Sequence, residues 1–248
     1  FNLVVVGKRS AIEKGLLKYD ADGKITFLDP LGAPAAELAA APEGVTAESV
    51  IANYLKAIGG AEAAKGVKNY HMVAEANIQG FLIEVSSAYE APNKAFLKVK
   101  QAGQVAQHVV VNGDKGKSTS PQGSGDMEAK DIAEFLEEVV LVPQAFYSDW
   151  GYSVELMGMK LLDEEQVYVL KVTDKEGNSS TDFYSVKTGF MVASNDQEGK
   201  TKYSDYGQAG NLLIPYTLTQ SIQGMNLNFT VTKVQVNAEV DQVLFSVE

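Results

Sequence analysis

Between residues 69 and 236 the chain returns again and again to one pattern: a run that alternates apolar and polar residues, then a short group of Gly, Asn, Asp or Pro. Phe81, Ile83, Val85 and Tyr89 alternate with Glu84, Ser86 and Glu90, the period of a strand with one wet face. Runs at 95–101, 105–112 and 115–120 follow, joined through Pro92-Asn93, Ala102-Gly103 and Asn112-Gly113-Asp114. Strand signals resume at 152–156, 166–173, 181–186, 190–195, 200–206, 213–223 and 226–236. Consecutive hairpins make an antiparallel meander. A tally of roughly ten or eleven strands predicts one sheet that curls strongly into a half-barrel.

Two helices accompany the strands. Residues 46–60 read as an amphipathic helix with Thr46 as N-cap, Glu48 in the first turn and Gly59 at the left-handed position beyond the end. Val50, Ile51, Tyr54, Leu55 and Ile58 form its apolar stripe. The second, over 127–142, is capped by Asp126 and presents Ile132, Phe135, Leu136, Val139 and Val140 opposite Glu134, Glu137 and Glu138. Residues 120–125, Ser-Pro-Gln-Gly-Ser-Gly, read as a flexible hinge before it. Both stripes must be buried, so the expected class is mainly β with helices covering the concave side of the sheet.

Composition narrows the function. A net charge of −11 with no Lys/Arg-rich block argues against nucleic acid and against an anionic membrane surface. Zero cysteines exclude disulfides and thiolate chemistry. No apolar run approaches the ~18 residues of a membrane span.

Residues 1–34 are organised differently. Residues 2–7 read as a strand, 10–19 as a helix with Ser10 and Glu13 in a capping box, and 24–29 as a second strand. This β-α-β piece is too small to bury its own core and reads as the end of a domain whose remainder lies upstream. The chain opens at Phe1 without an initiator methionine, as an excised piece would. Residues 35–45, rich in Ala and Pro, read as a linker, and 46–248 as the second domain.

No catalytic constellation emerges, and no cofactor or metal site is expected. His71 and His108 each sit singly in a strand, without the spacing of zinc ligands. Gly123-Ser124-Gly125 lacks the geometry of a nucleophile elbow, and Val6-Gly7-Lys8-Arg9-Ser10 has too few glycines for a phosphate loop. Asp20-Ala21-Asp22-Gly23 and Asn112-Gly113-Asp114 are turns without a calcium-ligand series. Glu137-Glu138 and Asp163-Glu164-Glu165 fit solvated surfaces.

What remains is apolar surface, and two readings of it stand. The helices either complete a packed core or leave a groove for a hydrophobic ligand, whose candidate lining is Val50, Tyr54, Ile58, Phe81, Ile83, Val85, Phe96, Phe135, Val139, Leu170, Phe183, Leu218 and Phe229. Alternation leaves the inward face of each strand open.

Two resemblances carry these readings further. Leu3-Val4-Val5-Val6-Gly7, the helix after it and Ile25-Thr26-Phe27-Leu28-Asp29 with Gly32-Ala33-Pro34 resemble the C-terminal end of a pitrilysin/insulinase-type zinc peptidase domain, whose metal motif would lie upstream. Tyr54-Leu55-Lys56-Ala57-Ile58-Gly59-Gly60, residues 183–190 and Ile214-Pro215-Tyr216-Thr217, with the strand ending near Val236 and the late Phe245, resemble the LolA/LolB-like lipoprotein-carrier family. The second resemblance implies a half-barrel of about eleven strands, a cavity for acyl chains and a periplasmic or envelope location in a Gram-negative bacterium. The expectation is a non-enzymatic domain that binds a lipid, a lipoprotein acyl chain or a lipidated or unfolded polypeptide. The alternative is an accessory domain of an envelope zinc peptidase, partnered with the upstream peptidase domain and solid inside.

Overall fold

The computed structural model describes residues 38–247 except 198, 223 and 224, together with 4–6, 12, 15, 16, 19 and 25. Most of residues 1–34, and with them the β-α-β expectation, lie outside the described residues, as do residues 35–37 of the proposed linker 35–45. Two compact units divide the chain, Phe1–Leu38 and Ala39–Glu248. The second unit holds the sheet.

That sheet has thirteen strands: β1 (Asn69–Ile78), β2 (Phe81–Glu90), β3 (Lys94–Gln101), β4 (Gln104–Asn112), β5 (Lys115–Ser120), β6 (Gly123–Asp126), β7 (Ser153–Leu162), β8 (Glu165–Thr173), β9 (Ser179–Ser185), β10 (Met191–Asn195), β11 (Lys200–Ala209), β12 (Leu212–Ile222) and β13 (Met225–Val236). Their order is β6-β5-β4-β3-β2-β1-β13-β12-β11-β10-β9-β8-β7, antiparallel throughout. Two meanders, β1–β6 and β7–β13, are thus joined where β1 meets β13. The fold is mainly β, a curled open antiparallel sheet with a few helices.

The sheet is larger than the predicted ten or eleven strands, and one reason lies in 120–125. That segment is no hinge: Ser120 pairs with Gly123 and Lys117 with Asp126, so Pro121-Gln122 is a tight turn and β6 an edge strand. A strand of sequence Gly-Ser-Gly-Asp, exposed throughout, has no apolar period to reveal it. Asp126, committed to that pairing, does not cap the following helix.

Among the described residues, three α-helices complete the unit: α1 (Ala47–Ala57), the short α2 (Ala61–Lys65) and α3 (Ala129–Glu138). α1 begins with a reciprocal capping box, in which the Ser49 amide donates to the Thr46 hydroxyl and the Thr46 amide to the Ser49 hydroxyl. It ends in a Schellman motif: the Gly60 amide reaches the Leu55 carbonyl at 2.7 Å and the Gly59 amide the Lys56 carbonyl at 3.4 Å. Gly59 has φ +123°, and a Cβ there would lie 2.5 Å from the Asn211 carbonyl oxygen. Only glycine fits this approach to the β11–β12 turn. α3 covers 129–138 rather than 127–142, with Glu128 at its N-cap. Because β6 and β7 are the two opposite edges of the sheet, the connection that contains α3 has to carry the chain from one edge to the other.

Pairing register shows that α1 and α3 lie on the same face. Ala95, Leu97, Val109 and Val111 pack under Ile132, Phe135 and Val139 of the α3 segment. From there the same face runs through Val99, Val85, Ala74 and Val231, which pair in succession, and on through Phe229, Leu218 and Tyr203. Tyr203 packs in the cluster of α1, with Val50, Tyr54, Leu55, Ile58, Leu170, Tyr184, Met191 and Leu212. The two other buried clusters lie on the opposite face: Ala88, Phe96 and Val110 beneath Val240 and Phe245 of the C-terminal segment, and Val167, Val169, Phe183 and Ala193.

Candidate functional site

The helix-bearing face is unevenly covered. α1 shields β8, β9 and the start of β12, and α3 shields β3 to β5. Between them the face is floored by β1, β2, β12 and β13. There Ile83, Val85, Leu218, Leu227 and Phe229 are half-buried and belong to none of the four buried clusters. Beneath them Ala74, Ala76 and Val231 are buried. Alanines there keep the floor low. The result is an apolar trough between two packed flanks.

The trough is one-sided. On the reverse of the same strands Glu84 pairs with Lys100 at 2.9 Å, His71 contacts the Ser86 hydroxyl at 3.2 Å, and Asn228, Thr230 and Thr232 are exposed. At one end of the trough, beside the β1–β2 and β12–β13 turns, Phe81 is 59% and Met225 53% exposed. At the other end the Tyr70 hydroxyl donates to the Val139 carbonyl at 2.6 Å and ties β1 to the exit of α3. Burial pushes the pKa of that hydroxyl up to about 12, so it stays a donor. One end is therefore bridged by a buried hydrogen bond and the other ends in exposed apolar side chains.

The expected lining residues fall into four groups. Ile83, Val85, Leu218 and Phe229 come together in the trough, with Phe81 at its open end. Tyr54, Phe135 and Val139 are buried in the flanks. Val50, Ile58 and Leu170, at 0–2% exposed, are core packing beneath α1. Phe96 and Phe183 point to the opposite face and do not join the site, because each is one residue out of phase with its inward neighbours, Leu97 and Tyr184. Sequence reasoning passed over Met72, Ala74, Ala76, Leu227 and Val231. The alternation of Tyr70, Met72, Ala74 and Ala76 with His71, Val73 and Glu75 carried that signal, and small or borderline residues obscured it.

The polar candidates sit in ordinary side-chain contacts. His71 and His108 lie on the face opposite the trough, with His108 edge-on to Phe96. Burial followed by a nearby lysine lowers both histidine pKa values, which keeps them neutral at pH 7. Glu137 accepts from Lys175 at 2.6 Å and from the Tyr152 hydroxyl at 3.2 Å.

One buried acid was not foreseen. Asp182 in β9 is 2% exposed, and among the described residues the Tyr184 and Ser180 hydroxyls reach it, each at 3.4 Å. Burial raises its pKa to about 7. Its field in turn helps raise the pKa values of Tyr54, Tyr147, Tyr184 and Tyr203 around it. This cluster anchors α1 to the sheet.

No protein-family model matches the chain, and no curated protein sequence matches it. Solved structures do. A DUF1329 family protein from Desulfovibrio piger superposes with a TM-score of 0.50 at 10% identity, covering 81% of this chain and 97% of that one. A LolA superfamily protein from Nitrosomonas europaea superposes with a TM-score of 0.52 at 12% identity, covering 82% and 98%. At such identities the likeness is one of fold.

Proposed function

We propose that the trough is a binding site for a hydrophobic ligand, an acyl chain or other linear apolar group, and that the protein carries or holds that ligand without chemically changing it. The observation that supports this is the unpacked apolar surface of Ile83, Val85, Leu218, Leu227 and Phe229 between two packed flanks. A folded domain gains by filling its interior. An apolar floor left between two helix-covered cores is therefore surface kept for an occupant. An acyl chain suits it because the floor is apolar and lies between two packed flanks, and because each buried methylene contributes about 0.8 kcal/mol without needing a polar partner. The ligand enters at the Phe81 and Met225 end. The shared fold and the sequence resemblance to LolA/LolB-like carriers point the same way and carry the proposed cell-envelope location.

The test is native mass spectrometry and isothermal titration of the purified chain with palmitate and with a diacylated lipopeptide. The expected result is one bound ligand, with Val85→Asp and Phe229→Asp weakening it at least tenfold by placing a charge on the floor. Saturating ligand without a bound species, or binding unchanged in both variants, would overturn the proposal and favour a solid accessory domain.

A further inference from the structure

A second cleft lies outside the trough, separated from its floor by β10 and β11. It is a cavity of about 380 Å³ between α1 and the β9–β10 turn, within the size range of small-molecule sites. Half-buried Tyr168 gives its floor apolar surface above Val50 and Tyr184, which belong to the core beneath, and Asn53, Lys56 and Lys187 stand at its edge. We propose that this cleft binds a small organic anion, a carboxylate carried on a compact aromatic or aliphatic body.

The two lysines supply the first reason. Lys56 and Lys187 are both exposed, and among the described residues neither has an ion-pair partner. In a chain of net charge −11, two unpaired cations facing one cavity are a local reversal of the surface field. Their flexible stems can lie along an apolar body while the ammonium groups reach one carboxylate.

The second reason is that the cleft is rigid before any ligand arrives. Val50, Asn53 and Ala57 follow one another at helical spacing, so α1 presents one continuous wall. The opposing turn is fixed by three hydrogen bonds: the Val186 amide to the Gln166 carbonyl, the Thr188 amide to the Ser185 hydroxyl and the Gly189 amide to the Ser185 carbonyl, at 3.0, 3.0 and 2.9 Å. Gly189 has φ +76°, and a Cβ there would come within 3.3 Å of the Asn53 carbonyl oxygen, so the turn sits against α1 as closely as glycine allows. The Tyr184 ring beneath is held edge-on to Tyr54 at 5.4 Å. The nearby carboxylate of Glu165 is engaged by the Ser185 hydroxyl. Walls set in advance remove most of the ordering cost of binding.

The probe is 1-naphthoate, titrated calorimetrically into the full chain at low ionic strength, beside its neutral counterpart 1-naphthalenemethanol and inorganic phosphate. The expected result is a dissociation constant below about 1 mM for the naphthoate and at least tenfold weaker binding of both comparators. Lys56→Gln with Lys187→Gln, exposed substitutions that leave the fold intact, should weaken the naphthoate at least tenfold. Val85→Asp, which tests the trough, should leave it unchanged. No measurable naphthoate binding, equal binding of the alcohol, survival of binding in the double lysine variant, or its loss in Val85→Asp would each overturn the proposal. Because the lysine pair lies outside the trough, acyl-chain binding can fail while naphthoate binding holds, and the reverse.

Discussion

Asp182 shows what one residue can impose on this fold. A carboxylate raised from 3.8 to about 7 by burial binds its proton more tightly in the folded state than in the unfolded chain. Its contribution to stability is therefore fully present below pH 3.8 and is lost as pH rises toward 7. At about 1.36 kcal/mol per unit, the loss is at most about 4 kcal/mol. Asp182→Asn keeps an acceptor for the Tyr184 hydroxyl and removes the ionisation. We expect this variant to be more stable than the parent at pH 8 by up to that amount, with the difference shrinking as pH falls to 4. Urea denaturation midpoints of both proteins across pH 4–8 measure it, and parallel curves would refute the assignment. Nothing in the sequence marks Asp182, since a polar residue in a period-two strand reads as solvent-facing; in the fold it is buried, with Tyr54, Tyr147, Tyr184 and Tyr203 close by.

The elements divide between those that local chemistry specifies and those that pairing creates. α1 was legible from end to end because its cap, its stripe and its terminal glycines are all encoded within fifteen residues. Gly59→Ala should cost roughly 2–4 kcal/mol, from the strained φ and the overlap with the Asn211 carbonyl, read as a lowered melting temperature with helix content retained. α3 was legible as a helix but not in its length, because β6 claims Asp126, the expected cap, and the helix ends at Glu138, four residues short of the expected Val142. Phe135→Ala should cost about 3–5 kcal/mol, since the ring is 6% exposed against Ala95, Val109 and Val111. Equilibrium unfolding checks this. A loss under 1 kcal/mol would mean that α3 is not seated on the sheet as described. β6 itself was illegible: it is a strand only because β5 offers it an unpaired edge.

At the scale of the whole molecule, the two helix-covered flanks and the trough between them form one thermodynamic system. A ligand that binds only the folded state stabilises it by about 2.7 kcal/mol at a concentration one hundred times its dissociation constant. Palmitate should accordingly raise the melting temperature in a concentration-dependent way in the parent and not in Phe229→Asp. An equal shift in both would place the lipid elsewhere. The sequence by itself determined that the chain is mainly β, that its strands are antiparallel neighbours and that one long helix must find a partner face, because period, caps and turn residues are local properties. It also brought Ile83, Val85, Leu218 and Phe229 forward as candidates. Tertiary structure alone decided that they meet. The pairing of β1 with β13 joins residues some 160 positions apart, and a shift of one residue in phase sends Phe96 and Phe183 to the other face. Where the helices stop, and so where the trough opens, depends on how far a single connection reaches between the sheet's two edges, a distance that no local pattern encodes.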